Sequence, residues 1–189
     1  MPDARRVAVL ISGRGSNMRA LVEQADGYDV VLVASNKPQA AGLAWAEGRG
    51  LATWALDTRG VAKPEWEAFL DEALADHGVG MIALAGFMRL LSGDFTRRWA
   101  GRIVNIHPSL LPKYRGLDTH NRAIEAGDAA GGCSVHLVTE ELDAGDVIAQ
   151  AEVPILPGDD ADALASRVLA AEHQLYPRAL SAFVKASIA

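Results

Sequence analysis

The chain has 189 residues and a single cysteine, Cys133. One cysteine cannot form an internal disulfide framework or a metal site that needs several thiolates, so Cys133 is predicted to be a small core residue. The histidines also lack the HExxH pattern, or a similar spacing, that would converge on zinc. This holds for His107, His120, His136 and His173. We therefore expect no metal site.

Long apolar runs are missing too. Hydrophobic residues make up 50% of the chain, yet no run approaches the roughly 18 residues that span a bilayer. The first residues, 1–6, lack the basic end, apolar stretch and cleavage site of a signal peptide. We expect a cytoplasmic protein without membrane association. Because no linker or shift in composition marks a boundary, residues 1–189 are predicted to form a single domain.

Clustered positive charge is also absent. The formal net charge is −6, and the lysines and arginines are scattered along the chain. A nucleic-acid surface needs clustered basic residues to meet phosphates, so nucleic acid is not an expected partner. Small-molecule substrates are the expected partners. The pattern does not separate an exposed apolar face from the core, and both a monomer and a homodimer remain open.

Short apolar segments alternate with helical segments along most of the chain. Strands are predicted at 6–11, 29–34, 51–56, 79–85 and around Ile106, with helices between them. This alternation is typical of β/α units with parallel strands. Two later strand candidates, at 132–139 and 146–153, are joined by few residues and indicate an antiparallel hairpin. We predict an α/β fold: a Rossmann-like open sheet, mostly parallel with an antiparallel C-terminal addition, and helices on both faces.

The last predicted helix carries one carboxylate on its apolar stripe. Asp159 or Asp160 can cap its start. A carboxylate that faces inward is costly unless it meets a partner, so Glu172 indicates an internal ion pair, the more frequent case, or a ligand. Pro177 removes a backbone donor and is expected to disturb the helix one turn away.

A glycine-rich turn, SGRGSN at residues 12–17, joins the first strand to a helix. Such a turn presents free N–H groups and the positive end of a helix dipole, which favour an anion. The third glycine of a dinucleotide motif would fall at Met18, and no nucleoside triphosphate motif is present. A phosphate monoester held by Gly15, Ser16 and Asn17 fits the residues present. The alternative is an ordinary turn in which Ser16 or Asn17 caps the helix.

Polar chemistry follows the fifth strand, in IVNIHPSLLPKYRG at residues 103–116. Ligands bind beyond the carboxyl ends of the strands in an open parallel sheet, so Asn105 and His107 are candidates for catalysis. The alternative is that they only satisfy backbone groups at a turn. Asp143, in the predicted hairpin loop, could hold the imidazole in one tautomer and favour its charged form, while an amide can donate to an oxyanion. This set suits acyl transfer by direct amine attack. A triad with Ser109 is disfavoured because no GxSxG elbow is present.

Four motifs together resemble the phosphoribosylglycinamide formyltransferases. In chain order they are SGRGSN at 12–17, AGFMRLL at 85–91, NIHPSLLPKY at 105–114 and ELDAG at 141–145. The match is collinear and covers nearly the whole chain. The HPSLLP and ELDxG parts are shared among formyltetrahydrofolate-dependent enzymes, whereas the GSN loop fits a ribose phosphate.

The resemblance implies that a formyl group moves from 10-formyltetrahydrofolate, a cosubstrate, to the amine of glycinamide ribonucleotide in de novo purine biosynthesis. His107 would act as general acid, Asp143 would orient and tune it, and Asn105 would donate to the formyl oxygen. The nucleotide site would comprise Gly15, Ser16, Asn17 and Glu172. The folate site would comprise Lys63, Met88, Arg89, Leu90, Leu91, Asn105 and Val138. No metal is implied.

Three positions depart from the pattern of these relatives. Asp118 stands where some have histidine, Arg115 where some have proline, and Lys63 where some have arginine. Relatives that act on methionyl-tRNA or a nucleotide sugar carry a further domain, and the hydrolase of this family carries one in front; neither is expected in a chain of this length. A non-catalytic nucleotide-binding module would leave Asn105, His107 and Asp143 without a purpose.

Overall fold

Seven strands of the computed structural model, which describes residues 3–188, form one mixed sheet. In chain order the strands are β1 (Arg6–Ile11), β2 (Asp29–Ser35), β3 (Thr53–Ala55), β4 (Met81–Leu84), β5 (Ile103–His107), β6 (Ala130–Leu137) and β7 (Val147–Pro154). The helices are α1 (Ser16–Glu23), α2 (Ala41–Glu47), α3 (Lys63–Asp76), α4 (Gly93–Arg98), α5 (Thr119–Glu125) and α6 (Ala161–Ser187). Across the sheet the order is β3-β2-β1-β4-β5-β6-β7.

The direction of the strands follows the predicted pattern. Strands β1 to β5 run parallel. Strand β6 runs antiparallel to β5, and β7 runs antiparallel to β6. The predicted mostly parallel sheet with an antiparallel C-terminal addition is therefore confirmed. The order of the strands reverses at β1, which lies between β2 and β4. In open sheets a ligand crevice forms beyond the carboxyl ends of the strands at such a reversal.

Side chains that alternate along β1 enter two separate apolar cores. Val9 and Ile11 pack in the core that contains residues of α1, α2 and α6, together with the buried Cys133. Ala8 and Leu10 pack in the core formed with α3 and the residues around α4. Burial on both faces is the usual setting of parallel strands. The helices thus cover both faces of the sheet, as predicted, and the loops occupy its carboxyl edge.

The helix α6, with 27 residues, begins with the predicted aspartate cap: Asp160 Oδ1 accepts a hydrogen bond from Ala163 N at 2.8 Å. It continues as one helix through Pro177, and the disturbance predicted one turn away is limited to one missing backbone hydrogen bond. Pro177 leaves the carbonyl of His173 without its helical donor. Gln24 Nε2 donates to that carbonyl at 3.1 Å and satisfies it from α1's C-terminal end. No helix within residues 3–188 is both long and apolar enough to cross a membrane.

The short helix α4 is an addition to the predicted elements. Its six residues are too few to display a helical period in the sequence. Ser92 caps it, because the Ser92 Oγ accepts a hydrogen bond from Phe95 N at 3.1 Å. Phe95 and Trp99 pack in the second core. The helix thereby fixes the end of the loop that leaves β4.

Candidate active site

The carboxyl end of β5 brings His107 beside the loop that follows β6. The His107 Nδ1 atom lies 3.4 Å from Asp143 Oδ2, and each side chain is 8% exposed. On its other side, His107 Nε2 lies 3.0 Å from the carbonyl oxygen of Tyr114, to which it can donate. A ring that carries two protons satisfies both acceptors, whereas a neutral ring satisfies only one. His107 and Asp143 are thus brought together, as the resemblance implies.

Two loops that flank His107 are joined to each other. Gly116 N donates to Asp143 Oδ2 at 2.9 Å, and Arg115 pairs with Glu141 at 2.8 Å. Asp143 adopts the left-handed backbone region with φ of 49°. Among the described residues only Tyr114 and Asp118 share this feature without being glycine, and they lie in the opposite loop. Backbone strain of this kind is retained where the surroundings fix it, often at functional sites.

His136 completes the centre, although the sequence did not predict it. In the antiparallel ladder of β5 and β6 it stands directly opposite Asn105. Its Nδ1 lies 2.8 Å from the carbonyl of Leu137 and donates to it, which leaves Nε2 as the acceptor of a 3.1 Å hydrogen bond from Asn105 Nδ2. Burial lowers the pKa of His136 below its ordinary value, against the opposing effects of Leu137 and Asp143.

A neutral His136 has two consequences for its neighbours. Its Nε2 lies 3.6 Å from Asp143 Oδ1, but without a proton there the contact is not an ion pair. Of the two histidines, His107 is therefore the one that can form an ion pair with Asp143. Because Asn105 donates one amide hydrogen to His136, its amide plane is fixed, and the second hydrogen has no acceptor among residues 3–188 and is available to a ligand.

The glycine loop meets the start of α1 without a side-chain cap. Gly15, with φ of 70°, occupies the capping position, and neither Ser16 nor Asn17 bonds to the orphan N–H groups. The alternative of a simple capped turn is therefore wrong. The first turn of α1 also contains no acidic residue, so nothing in it opposes the positive end of the helix dipole. Such an end favours an anion.

Glu172 reaches the same loop from α6. Its Oε2 accepts a 2.7 Å hydrogen bond from Asn17 Nδ2, and the two residues are 6% and 8% exposed. Burial raises the pKa of the Glu172 carboxyl, and the bond from Asn17 lowers it in part. Within residues 3–188 no cation pairs with Glu172, so the internal ion pair that the sequence favoured is wrong. The buried Asn17 Oδ1 also has no hydrogen-bond partner in the described part of the chain. The Glu172 carboxylate and Asn17 Oδ1 are thus two neighbouring acceptors, and they suit a ligand with N–H donors.

The loop after β4 is held by Ser12 from the end of β1. Ser12 N donates to the carbonyl of Gly86 at 3.2 Å. Ser12 Oγ accepts from Met88 N at 2.8 Å and donates to Asn36 Oδ1 at 2.6 Å. The ends of β1, β2 and β4 are therefore tied together by one buried hydroxyl. The role of Ser12 could not be read from the sequence, because it depends on which strands are neighbours.

The predicted folate residues lie in four parts of the fold. Met88 and Leu90 are 69% and 62% exposed on the loop after β4, which is unusual for large apolar side chains. Leu91 and Val138 are half-buried against the second core. The remaining three are Arg89, whose guanidinium lies 5.4 Å above the ring of Trp66, Lys63, which begins α3, and Asn105 on β5.

Other chemistries find less support in the geometry. Ser109 Oγ donates to the carbonyl of Lys113 at 2.6 Å, a contact within its own loop. Among residues 3–188 no group of three or more His, Cys, Asp or Glu side chains is arranged to hold a metal ion. The polar groups at the carboxyl edge are thus an imidazole, a carboxylate and an amide, which is a set for proton transfer and oxyanion stabilisation.

Comparison with known proteins agrees with this chemistry. The family model described as formyl transferase matches residues 5–180. The phosphoribosylglycinamide formyltransferase of Escherichia coli (strain K12) is 44% identical over 94% of this chain and 86% of its own length. The crystal structure of phosphoribosylglycinamide formyltransferase from Brucella melitensis superposes with a TM-score of 0.90 at 50% identity, covering 95% of each chain. The trifunctional purine biosynthetic protein adenosine-3 of Drosophila melanogaster is 50% identical over 95% of this chain, which spans only 14% of that protein.

Proposed function

Because this chain belongs to the formyl transferase family, among its phosphoribosylglycinamide formyltransferases, we propose that it transfers the formyl group of 10-formyltetrahydrofolate to the amine of glycinamide ribonucleotide. The single observation that carries the proposal is the pairing of His107 with Asp143 at 3.4 Å, at the same edge of the sheet as the uncapped start of α1. The His107–Asp143 pair suits acyl chemistry, and the uncapped start of α1 suits a phosphate.

The nucleotide would span these two features. Strand β4 separates β1 from β5, so the glycine loop and His107 follow strands that are about 10 Å apart. A ribose phosphate with a short amide arm suits this span. Gly15 and Ser16 would offer N–H groups to the phosphate, and Glu172 with Asn17 would accept from the amine end. The resulting orientation would aim the amine at the centre around His107.

In the proposed reaction the amine nitrogen bonds to the formyl carbon, and the carbonyl electron pair moves to oxygen. Asn105 would donate its second amide hydrogen to that oxygen. His107 would stabilise the negative charge and would act as a proton donor through Nε2, which would turn from the carbonyl of Tyr114 towards the oxygen. Collapse of the intermediate breaks the bond to the folate nitrogen, which leaves with a proton while the attacking amine loses one. Asp143 would keep His107 oriented through both steps.

The folate would lie on the other side, against the loop after β4. Met88 and Leu90 would supply an apolar surface for its flat ring system, with Val138 and Leu91 behind it. The exposure of these side chains supports the proposal, because a loop anchored by Ser12 has no structural need for them at the surface.

The test mixes the purified protein with both substrates and follows loss of the formyl donor. His107→Ala and Asp143→Ala should each lower turnover by about 10²- to 10⁴-fold while the fold persists, because each removes part of one proton-transfer unit. His77→Ala is the matched control, since within residues 3–188 the His77 side chain forms its one hydrogen bond with the carbonyl of Ala73 on α3, away from the centre around His107. Near-normal turnover in either active-site variant would end the catalytic assignment. Turnover with water or another amine, and none with glycinamide ribonucleotide, would show that the formyl acceptor is the one used by a different member of the family.

A further inference from the structure

Glu67 is a buried carboxylate outside the centre around His107. It lies on α3, is 2% exposed, and pairs with no cation among residues 3–188. Its Oε1 accepts a hydrogen bond from Ser92 N at 2.7 Å, and its Oε2 accepts from the Ser92 hydroxyl. Both bonds therefore come from one residue. A buried carboxylate without a cation is costly, and these two bonds are what satisfies it.

Ser92 stands at the junction of the loop after β4 and helix α4. Its Oγ donates to Glu67 and accepts from Phe95 N, so the hydroxyl also caps α4. Its backbone N–H, the last before the helix, is held by Glu67 as well. The end of the loop is thus attached to α3 by the Glu67 side chain, which forms no other hydrogen bond within the described part of the chain.

The loop, residues 86–91, is fixed at three points. Ser12 holds its start through Gly86 and Met88, and Glu67 holds its end through Ser92. Between them, Phe87 stacks on Trp66 of α3, with ring centroids 5.9 Å apart. Apolar side chains at the surface tend to collapse inward when the backbone allows it. Rigid anchors at both ends are what can keep Met88 and Leu90 outward.

We infer that Glu67 is a positioning residue for the formyl donor, which holds the Met88–Leu91 surface in the register that binds the folate ring. This rests on the proposed function, because the donor assigned to that surface is folate. Glu67 does not touch the substrate. It acts through Ser92, and its effect should appear in donor binding rather than in nucleotide binding.

Three variants separate this role from ordinary stability. Glu67→Leu keeps the side-chain volume roughly the same but leaves the Ser92 N–H without its acceptor. Glu67→Gln can restore the link, because its amide oxygen accepts from the N–H and its amide nitrogen donates to the hydroxyl. Ser181→Ala is the control, since it also removes a buried hydrogen-bonding group, here a hydroxyl that donates at 2.6 Å to the carbonyl of Asp26, between α1 and β2.

The readouts are KM for each substrate and calorimetric binding of tetrahydrofolate, measured well below each variant's Tm. Glu67→Leu should raise the donor KM and the Kd for tetrahydrofolate about tenfold, because part of the cost of losing both bonds to Ser92 falls on donor binding. The nucleotide KM should stay within about twofold, as expected for sites without shared contacts. Glu67→Gln should return the donor KM towards wild type, and Ser181→Ala should change neither.

Two failures remain distinguishable. If wild-type protein binds tetrahydrofolate but transfers no formyl group, the proposed function falls, while the Kd ratio of the variants still decides the role of Glu67. If Glu67→Leu leaves both the donor KM and the Kd unchanged, raises both substrate KM values equally, or is not corrected by Glu67→Gln, the inference is overturned. A wild-type protein that does not bind tetrahydrofolate overturns it as well.

Discussion

Replacement of Gly42 by alanine should weaken nucleotide binding, because Gly42 packs against the backbone of the glycine loop. Gly42, on α2, donates its N–H to the carbonyl of Gly13 at 3.0 Å. A Cβ at position 42 would lie 2.5 Å from Ile11 Cδ1, 3.2 Å from the Gly13 oxygen and 3.3 Å from the Arg14 oxygen. The added methyl group therefore pushes on the backbone of the loop itself and on a fully buried side chain.

The cost to stability should be small. Overpacking by one methyl group costs about 1–3 kcal/mol, and the better helix propensity of alanine returns about 1 kcal/mol. The net loss is about 0–2 kcal/mol. The effect on the ligand should be larger, because a loop shifted by a few tenths of an ångström misaligns its bonds to a charged phosphate. One such bond contributes about 1.5–3 kcal/mol, which corresponds to a nucleotide KM raised roughly 10- to 100-fold.

Steady-state kinetics with each substrate varied in turn, together with competition by ribose 5-phosphate, measures this effect. Gly48→Ala is the matched control on the same helix. Its added Cβ would meet nothing closer than 3.4 Å, at the carbonyl of Ala44, and its φ of −62° suits alanine. A Gly42→Ala variant with the wild-type nucleotide KM, or with an equal rise in the donor KM, would refute the assignment of this loop to the phosphate.

Two further variants test the buried polar groups. In Glu172→Gln, turnover should fall, because the amine loses its carboxylate partner, while the free energy of unfolding should exceed that of wild type by an amount that grows with rising pH. Burial raises the folded-state pKa of Glu172 above the value of 4.5, so wild type loses stability as pH rises from about that value through the raised pKa, and the glutamine variant does not. Urea unfolding at pH 4 and pH 8 should therefore show a difference only at the higher pH; a constant difference would contradict it. Ser12→Ala strands Met88 N–H and the Asn36 oxygen, so urea unfolding should show a loss of about 2–4 kcal/mol, and the donor KM should rise. A loss below about 0.5 kcal/mol would mean that the two groups find other partners.

Local pattern was enough for most of the secondary structure and for the order of the motifs. The alternation of apolar and helical segments predicts parallel β/α units, and the short spacing before β7 predicts an antiparallel pair. Helix α4 escaped prediction because six residues do not show a period. The sequence does not show how α6 tolerates Pro177, because the carbonyl freed by Pro177 is satisfied from α1, 149 residues away in the chain.

The polar partners at the candidate site depend on contacts that no local pattern contains. The role of His136 requires the register of β6 against β5, which sets it opposite Asn105. Ser134 and His136 are two residues apart, as are Asn105 and His107, and the two pairs face each other across the ladder. This shared spacing is the one feature of the sequence that could have indicated His136. The partner of Glu172 is an amide rather than a cation, a choice that only the three-dimensional arrangement makes.

The hydrogen bond between Asn17 and Glu172 joins residues 155 positions apart. It has a thermodynamic consequence for any ligand that touches both the loop and α6. A phosphate that orders the start of α1 also orders Asn17, and through it the carboxylate that would receive an amine. Separate phosphate and amine fragments should therefore bind with positive cooperativity, that is, with a negative coupling free energy, and the coupling must be reciprocal. A single molecule that carries both groups gains this cooperation without the entropic cost of bringing two fragments together.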